Sequence, residues 1–372
     1  MGGSRESLAR PPRRCSAPLI PPIWAETAES IAYDSATWPP PIALVCGPGN
    51  SGKSTFSRLL LNTLLRRYKR VGYLDTDVGQ PEFATPDLTI LCLKTPEKCF
   101  FFGDVCAKKD PKAHLNYICT LYDYFLINYH QFEEVDDPGK APVLPLVVNT
   151  SGWVKGTGYV TLVEMLRHMS PTHVVQIRVS PESKNLPSGK FWSDGNQNTP
   201  VNVIEIHGTG NDASVRSVST KREARIMRDI RIISYFRQCL PRDFKISTYT
   251  ELRRCLASIA PIGLHLSSIK IVHLHCQVPS NMIYESLIGS IVGLADSSLF
   301  PTSSRCCTPW CLGLGIVRAV DNSEDRIYVI TPVSRRVLER VDLVFQGSVE
   351  IPTCLLQVEA PTLLGLSKMK QL

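Results

Sequence analysis

Apolar and polar positions change rhythm several times along the chain, and each change predicts an element. Ile42-Ala43-Leu44-Val45-Cys46 is a continuous apolar run, the pattern of a strand buried on both faces. A glycine-containing loop follows. Then Phe56, Leu59, Leu60, Thr63 and Leu64 recur at helical spacing as far as the basic pair Arg66-Arg67. Val71-Gly72-Tyr73-Leu74-Asp75 predicts a second short strand that ends in acid. One strand–loop–helix–strand unit of this kind favours a parallel sheet with helices on its faces. Further strands are expected at 88–93, 143–149, 173–179 and 202–206, with helices at 113–129 and 161–168. Residues 183–198 are polar, punctuated by Pro187, Gly189 and Gly195, and read as a loop.

A basic helix is expected over 221–237. Beyond Arg242 the texture shifts to short strands between Gly, Pro and Asn turns, at 269–276, 313–320, 326–330 and 341–345. The first 40 residues are rich in proline and arginine and read as a disordered arm. The fold expected is therefore α/β: an arm over 1–40, a parallel-sheet domain with flanking helices over 41–241, and a smaller, mostly β domain over 242–372.

Composition narrows the class without naming it. The 372 residues include 43% hydrophobic and 20% charged, which excludes a wholly disordered, collagen-like or coiled-coil chain. Lys and Arg exceed Asp and Glu by 41 to 34, a net charge of +7 that permits an acidic partner without requiring one. Thirteen cysteines are scattered with no Cys-x-x-Cys pair, the usage of free thiols in a reducing compartment. No apolar run approaches the roughly 18 residues of a membrane span, so no membrane contact is expected. Arg5, Arg10, Arg13 and Arg14 precede no apolar stretch, unlike a secretory signal.

The loop after the first strand carries the chemistry. Gly47-Pro48-Gly49-Asn50-Ser51-Gly52-Lys53-Ser54 fits G-x-x-x-x-G-K-[ST] at every fixed position, and Thr55 continues it into the helix. Its glycines let successive N–H groups turn inward onto phosphate oxygens, and the helix start adds its positive dipole end. Lys53 would reach the β- and γ-phosphates of a nucleoside triphosphate, and the Ser54 hydroxyl would ligate Mg²⁺. A second cluster, Asp75-Thr76-Asp77-Val78-Gly79-Gln80, sits at the carboxyl end of the second strand, where open parallel sheets bind ligands. At i and i+2 of a strand, both carboxylates face one side. One can hold Mg²⁺ and the other can take a proton from an attacking hydroxyl.

Gly47 to Ser54, then Asp75-x-Asp77-x-Gly79-Gln80, then Asn149-Thr150-x-Gly152-Trp153 form an ordered set. Arg228-Asp229-Ile230-Arg231, Ile288-Gly289-Ser290-Ile291-Val292-Gly293-Leu294, Cys311-Leu312-Gly313-Leu314-Gly315-Ile316-Val317-Arg318 and Thr331-Pro332-Val333 extend it. The set resembles the polynucleotide 5′-hydroxyl kinase family, and within it the nucleolar branch that works in pre-ribosomal RNA processing. The resemblance covers roughly residues 41–360.

It implies transfer of the ATP γ-phosphate to the 5′-hydroxyl of an RNA end, with DNA the alternative acceptor, in the nucleus and nucleolus, beside an rRNA-processing endonuclease. Asp77 aligns with the general base. Lys53 takes the phosphate role, Ser54 and Asp75 the Mg²⁺ role, and Gln80 orders the acceptor or a metal-bound water. A tryptophan after a strand is more often core than ligand platform, but the resemblance favours Trp153 stacking on the terminal base. Thr150 and Lys155 are candidates for the sugar-phosphate.

Arg222, Arg225, Arg228 and Arg231 recur every three residues and spiral around their helix, with Ile226, Ile230 and Ile233 as the opposing apolar line. The family carries a lid with a spaced arginine pair, for which Arg228 and Arg231 are the choice and Arg225 the reserve. Two departures are expected. The branch carries a β-rich domain before the phosphate loop, whereas only 46 residues precede Gly47 here. The stretch after Gln80 is also shortened. An ATP-binding ribosome-assembly scaffold with little transfer, or a generic P-loop ATPase, therefore remains an alternative.

Overall fold

A computed structural model describes residues 20–34, 39–86, 88–93, 95–130, 143–193, 200–208, 217–241, 243–246, 248–301 and 307–352. Its first sheet contains β1 (Ile42–Cys46), β2 (Gly72–Asp75), β3 (Leu88–Cys92), β4 (Pro96–Phe101), β5 (Leu146–Asn149), β6 (His173–Arg178) and β7 (Asn202–His207). In space the order is β4-β3-β2-β5-β1-β6-β7. Strands β2, β5, β1, β6 and β7 pair in parallel. Strands β3 and β4 are antiparallel, so the expected parallel sheet is mixed at this edge. No helix joins β2 to β3, and a short turn joins β3 to β4, so nothing carries the chain back for a parallel pairing.

Residues alternate faces along the central strands, and each face is covered. On one side, Ala43 and Val45 of β1 pack with Phe56, Leu60 and Leu64 of a helix over Lys53–Leu64. On the other, Leu44 and Cys46 pack with two helices over Pro111–Phe125 and Thr157–Met169, through Ile118, Leu121 and Leu166.

The first helix of the chain corrects the expected arm. Residues Pro22–Tyr33 form α1, making the three helices just described α2, α3 and α4. Trp24, Ala28, Ile31 and Ala32 of α1 are buried against Phe56 and Val45. Apolar residues at a spacing of four and three give one helical face, and proline at the first turn starts a helix instead of breaking it. Residues 1–19 and 35–38 of that expected arm lie outside the described residues.

Helix α5 (Ser217–Phe236) and α6 (Tyr249–Ser258) lead into a second sheet. It contains β8 (Ile262–His265), β9 (Lys270–His273), β10 (Ile291–Ala295), β11 (Cys311–Asp321), β12 (Arg326–Ile330) and β13 (Leu343–Gln346), ordered β8-β12-β11-β10-β13-β9. Every pairing is antiparallel except β13 with β9. The two sheets share a core in which Leu88 and Phe101 meet Ile232, Phe236, Ile291 and Phe345.

The apolar line expected on α5 is a second correction. Ile226 and Ile230 are exposed, at 45% and 38%, while Ile232, Ile233 and Phe236 are buried. Among the described side chains of α5, those of the last turns reach the shared core, where the chain descends into the second sheet. Among the described residues, no helix is long and apolar enough to cross a membrane.

Candidate active site

The phosphate loop joins the end of β1 to the start of α2. Gly52 caps α2 with φ of 97°, a left-handed conformation that favours glycine. A Cβ there would come within 2.6 Å of the Trp24 ring, so α1 presses directly on the back of the loop. The Trp24 indole N–H donates to the His207 carbonyl at 2.9 Å, tying α1 to the end of β7. No side chain caps α2, which leaves its first N–H groups facing the loop.

Lys53 is buried and its Nζ donates to the Pro48 carbonyl at 2.9 Å. Burial pulls the Lys53 ammonium down to about 8, opposed by the nearby Asp77 carboxylate and then by Cys46. The buried Ser51 hydroxyl has no partner. An uncapped helix start, a buried ammonium and a buried hydroxyl without a partner are the donor set a polyphosphate needs. The residues fit a nucleoside triphosphate.

The acid pair is arranged differently from the expectation. Strand β2 ends at Asp75, so Asp77 lies beyond it, in a turn. Asp77 Oδ1 accepts the N–H groups of Gly79 and Gln80 at 3.0 and 3.1 Å, which fixes the carboxylate at the turn instead of along a strand face. Asp77 is half-buried and Asp75 fully buried. Asp75 accepts from the Glu82 N–H at 2.6 Å, the Asp77 N–H at 3.3 Å and Asn149 Nδ2 at 3.1 Å. Burial raises the Asp75 carboxyl to about 7, against the lowering effect of the Glu82 N–H.

Asn149 is the hub that the sequence did not assign. Its Nδ2 reaches both Asp75 and, at 3.4 Å, Ser54 Oγ, while its Oδ1 accepts from Ser57. Ser54 and Asp75 are therefore held on one amide, an oxygen pair of the kind Mg²⁺ prefers.

The segment after β5 meets the phosphate loop. A Cβ on Gly152 would lie 2.5 Å from Gly49 Cα and 3.4 Å from Lys53 Nζ, so only glycine allows this approach. Trp153 packs over Gly158 of α4, and Lys108 Nζ lies 5.4 Å from the centre of its ring. Thr150 turns its hydroxyl to the Val45 carbonyl at 2.9 Å, and Lys155 Nζ donates to the Ser183 carbonyl. Gln80 has an exposed side chain. A small cavity opens between Thr76, His114, Thr150, Ser151 and Trp153.

The lid candidates stand apart from this cluster. Arg225 pairs with Glu350 at 3.7 Å, both largely exposed. Arg231 has a buried Nη1 with no partner, and Arg228 is half-buried. Among the described residues, no hydrogen bond or ion pair joins Arg228 or Arg231 to the phosphate loop. The side chain of Arg222 lies outside the described residues.

His114, Lys108 and Trp24 were not anticipated. His114 had a signal, a polar residue in line with Tyr117, Ile118 and Leu121 on the apolar face of α3. Trp24 lay in a stretch whose prolines masked a helix.

Fold and loop together define a P-loop nucleotide-binding protein of the Clp1 type. Residues 47–238 match the family model described as the mRNA cleavage and polyadenylation factor CLP1 P-loop. The solved wild-type Clp1p–Pcf11p complex contains a chain with the same fold, at a TM-score of 0.61 and 15% identity, covering 88% of this chain and 77% of that one. Residues 257–352 match the NOL9-like C-terminal domain. The polynucleotide 5′-hydroxyl-kinase NOL9 of Arabidopsis thaliana is 49% identical over 92% of this chain and 94% of its own length. Those of Danio rerio and Homo sapiens are 29% and 28% identical, and the chain spans about half the length of each, 47% and 50%. The chain belongs to the polynucleotide 5′-hydroxyl-kinase NOL9 family.

Proposed function

We propose that the chain transfers the γ-phosphate of ATP to the 5′-hydroxyl of an RNA end, with DNA ends a second acceptor. The observation that carries this reading is the approach of Gly152 to Gly49 and Lys53. It brings the acceptor segment onto the phosphate loop, as a transfer between two bound polyanions requires.

The phosphates lie along residues 47–55, against the N–H groups of the loop and the Lys53 ammonium. Asp77 is the general base. Its Oδ1 is held by two backbone N–H groups, and its charge couples to Lys53. It takes the proton of the 5′-hydroxyl as that oxygen attacks the γ-phosphorus and the bond to the bridging oxygen of ADP breaks. Ser54 and Asp75 would hold Mg²⁺, which when bound neutralises charge on the phosphates. Trp153 stacks on the terminal base, with Thr150, Lys155 and Gln80 along the strand.

Arg228 and Arg231 act from a lid. Among its described side chains, helix α5 meets the core at its C-terminal turns, which supports a helix that closes over the loop. Residues 41–241, with α1 packed onto them, form the kinase unit, and 242–372 the mostly β unit. The family membership supports a nucleolar role in pre-rRNA processing, beside an endonuclease that leaves 5′-hydroxyl ends.

The test is phosphate transfer from γ-labelled ATP with Mg²⁺ to 5′-hydroxyl RNA, DNA and duplex ends. The wild-type chain labels single-stranded RNA ends over many turnovers, and Lys53→Ala does not. A wild-type chain that binds ATP and labels no end would leave the scaffold or ATPase reading instead.

A further inference from the structure

His114 sits on α3 among the core residues Tyr117, Ile118 and Leu121, and it is 2% exposed. Among the described residues, its Nδ1 has no hydrogen-bond partner. A buried polar atom left unpaired costs on the order of 1–3 kcal/mol, so an imidazole at a core position without a partner needs an explanation. Burial pulls the His114 imidazolium down to about 4, so the ring is neutral at ordinary pH, with one nitrogen a donor and the other an acceptor. The Phe102 ring packs edge-on against the imidazole, 5.7 Å between ring centres.

His114 also lines the cavity that Thr76, Thr150, Ser151 and Trp153 share. Thr76 precedes the proposed base, and Trp153 is the proposed stacking platform. Leu162 and Met165 close the cavity, and no cationic side chain lines it. The space is about that of a single water, too small for a base and right for one hydroxyl. A hydroxyl both donates and accepts, the complement of a neutral imidazole.

We propose that His114 is an acceptor-binding residue, whose imidazole hydrogen-bonds a sugar hydroxyl of the terminal nucleoside and so holds the 5′ end beside Asp77. Two hydroxyls share this chemistry, the 5′-hydroxyl itself and the 2′-hydroxyl of a ribose. The inference rests on the reading of residues 150–153 as the acceptor segment.

The experiment measures steady-state transfer to RNA and DNA 5′-hydroxyl ends for wild type, His114→Asn and His114→Leu, with ATP affinity measured separately. His114→Leu raises the acceptor KM about tenfold, the scale of one lost hydrogen bond. ATP affinity stays within about twofold, and His114→Asn, which keeps a nitrogen near the Nδ1 position, recovers most of the loss. A rise confined to RNA ends identifies the 2′-hydroxyl, and a rise on both acceptors the 5′-hydroxyl. An unchanged acceptor KM in a folded His114→Leu overturns the proposal and leaves the histidine on a structural water.

Should the leucine variant not fold, the wild-type protein supplies the test. Strands ending in a 2′-deoxy or a 5′-deoxy nucleoside are compared with RNA for binding, and equal affinity of all three overturns the proposal. If wild type transfers no phosphate at all, the functional reading fails. If it transfers and His114→Leu matches it, only this inference fails.

Discussion

In the proposed transfer, nine consecutive residues, 47–55, supply the donor half of the site. The proposed acceptor half is drawn from three separated segments: the turn after β2 with Asp77, the stretch from Lys108 to His114, and the loop after β5 with Trp153. The donor half is set by local geometry, a strand, a glycine loop and a helix start in immediate succession. The acceptor half exists only once β5 lies between β1 and β2 and carries Gly152 onto Gly49. A local device survives changes elsewhere in the chain. An assembled one fails when any of its segments moves.

That contrast can be broken from several directions. Asp77 apart, the largest effect is expected from the lid. Arg228→Ala or Arg231→Ala lowers kcat by about 10³-fold while ATP binding persists, since such a cation acts mainly on the transferring phosphoryl group. Single-turnover transfer beside calorimetric ATP binding checks this, and a variant with full kcat removes that arginine from the lid.

Gly152→Ala comes next. Its methyl meets the Gly49 backbone and cannot be accommodated in place. A displacement of about 1 Å at the junction lowers transfer by roughly 10²-fold. Both ATP affinity and acceptor KM should suffer, because the two halves touch there. A loss on one side alone would mean that they are less tightly joined.

Trp153→Ala tests the acceptor half by itself. Loss of one stacked base weakens acceptor binding by about 1–3 kcal/mol, or roughly five- to 150-fold, with ATP affinity unchanged. Affinity for single-stranded 5′-hydroxyl oligonucleotides, measured by fluorescence, decides it.

The last expected effect is on stability and not on transfer. Burial lowers the His114 pKa from its ordinary value to about 4, so the unfolded chain binds this proton more readily than the folded one. The contribution of His114 is complete above about pH 6.5 and is lost as pH falls toward 4, at up to about 1.4 kcal/mol per pH unit. Denaturant unfolding across that window, compared with His114→Leu, should show a shallower slope in the variant.

The same contrast explains what could be read before folding. The phosphate loop was legible because its residue types and spacing are its geometry. The strands from β1 to β7 were mostly legible from apolar runs, although β4, with Glu97 and Lys98 in it, breaks the pattern. Asn149 and Gly152 belonged to the motif set but without a role, and His114 was not legible as a functional part. Each meets a neighbour distant in the chain: Asp75 for Asn149, Gly49 for Gly152, and for His114 the cavity it shares with Thr150.

Helix α1 was hidden by Pro21-Pro22, which reads as linker until Trp24, Ala28 and Ile31 are seen as one face. The apolar line on α5 misled for the opposite reason. Ile226 and Ile230 have the spacing of a buried stripe but are exposed, and among the described side chains of α5 burial begins at Ile232. Periodicity reports which residues share a face, not whether anything covers it.

Asp77 is where the two halves meet, held by its own turn and coupled in charge to Lys53. The most direct test is the Asp77→Asn variant, with ATP affinity and single-turnover phosphate transfer to a 5′-hydroxyl RNA measured on the same preparation. ATP affinity should stay within about threefold of wild type while transfer falls by about 10²–10⁴-fold, the range for loss of a general base. Transfer at the wild-type rate would contradict Asp77 as the base at the junction of donor and acceptor.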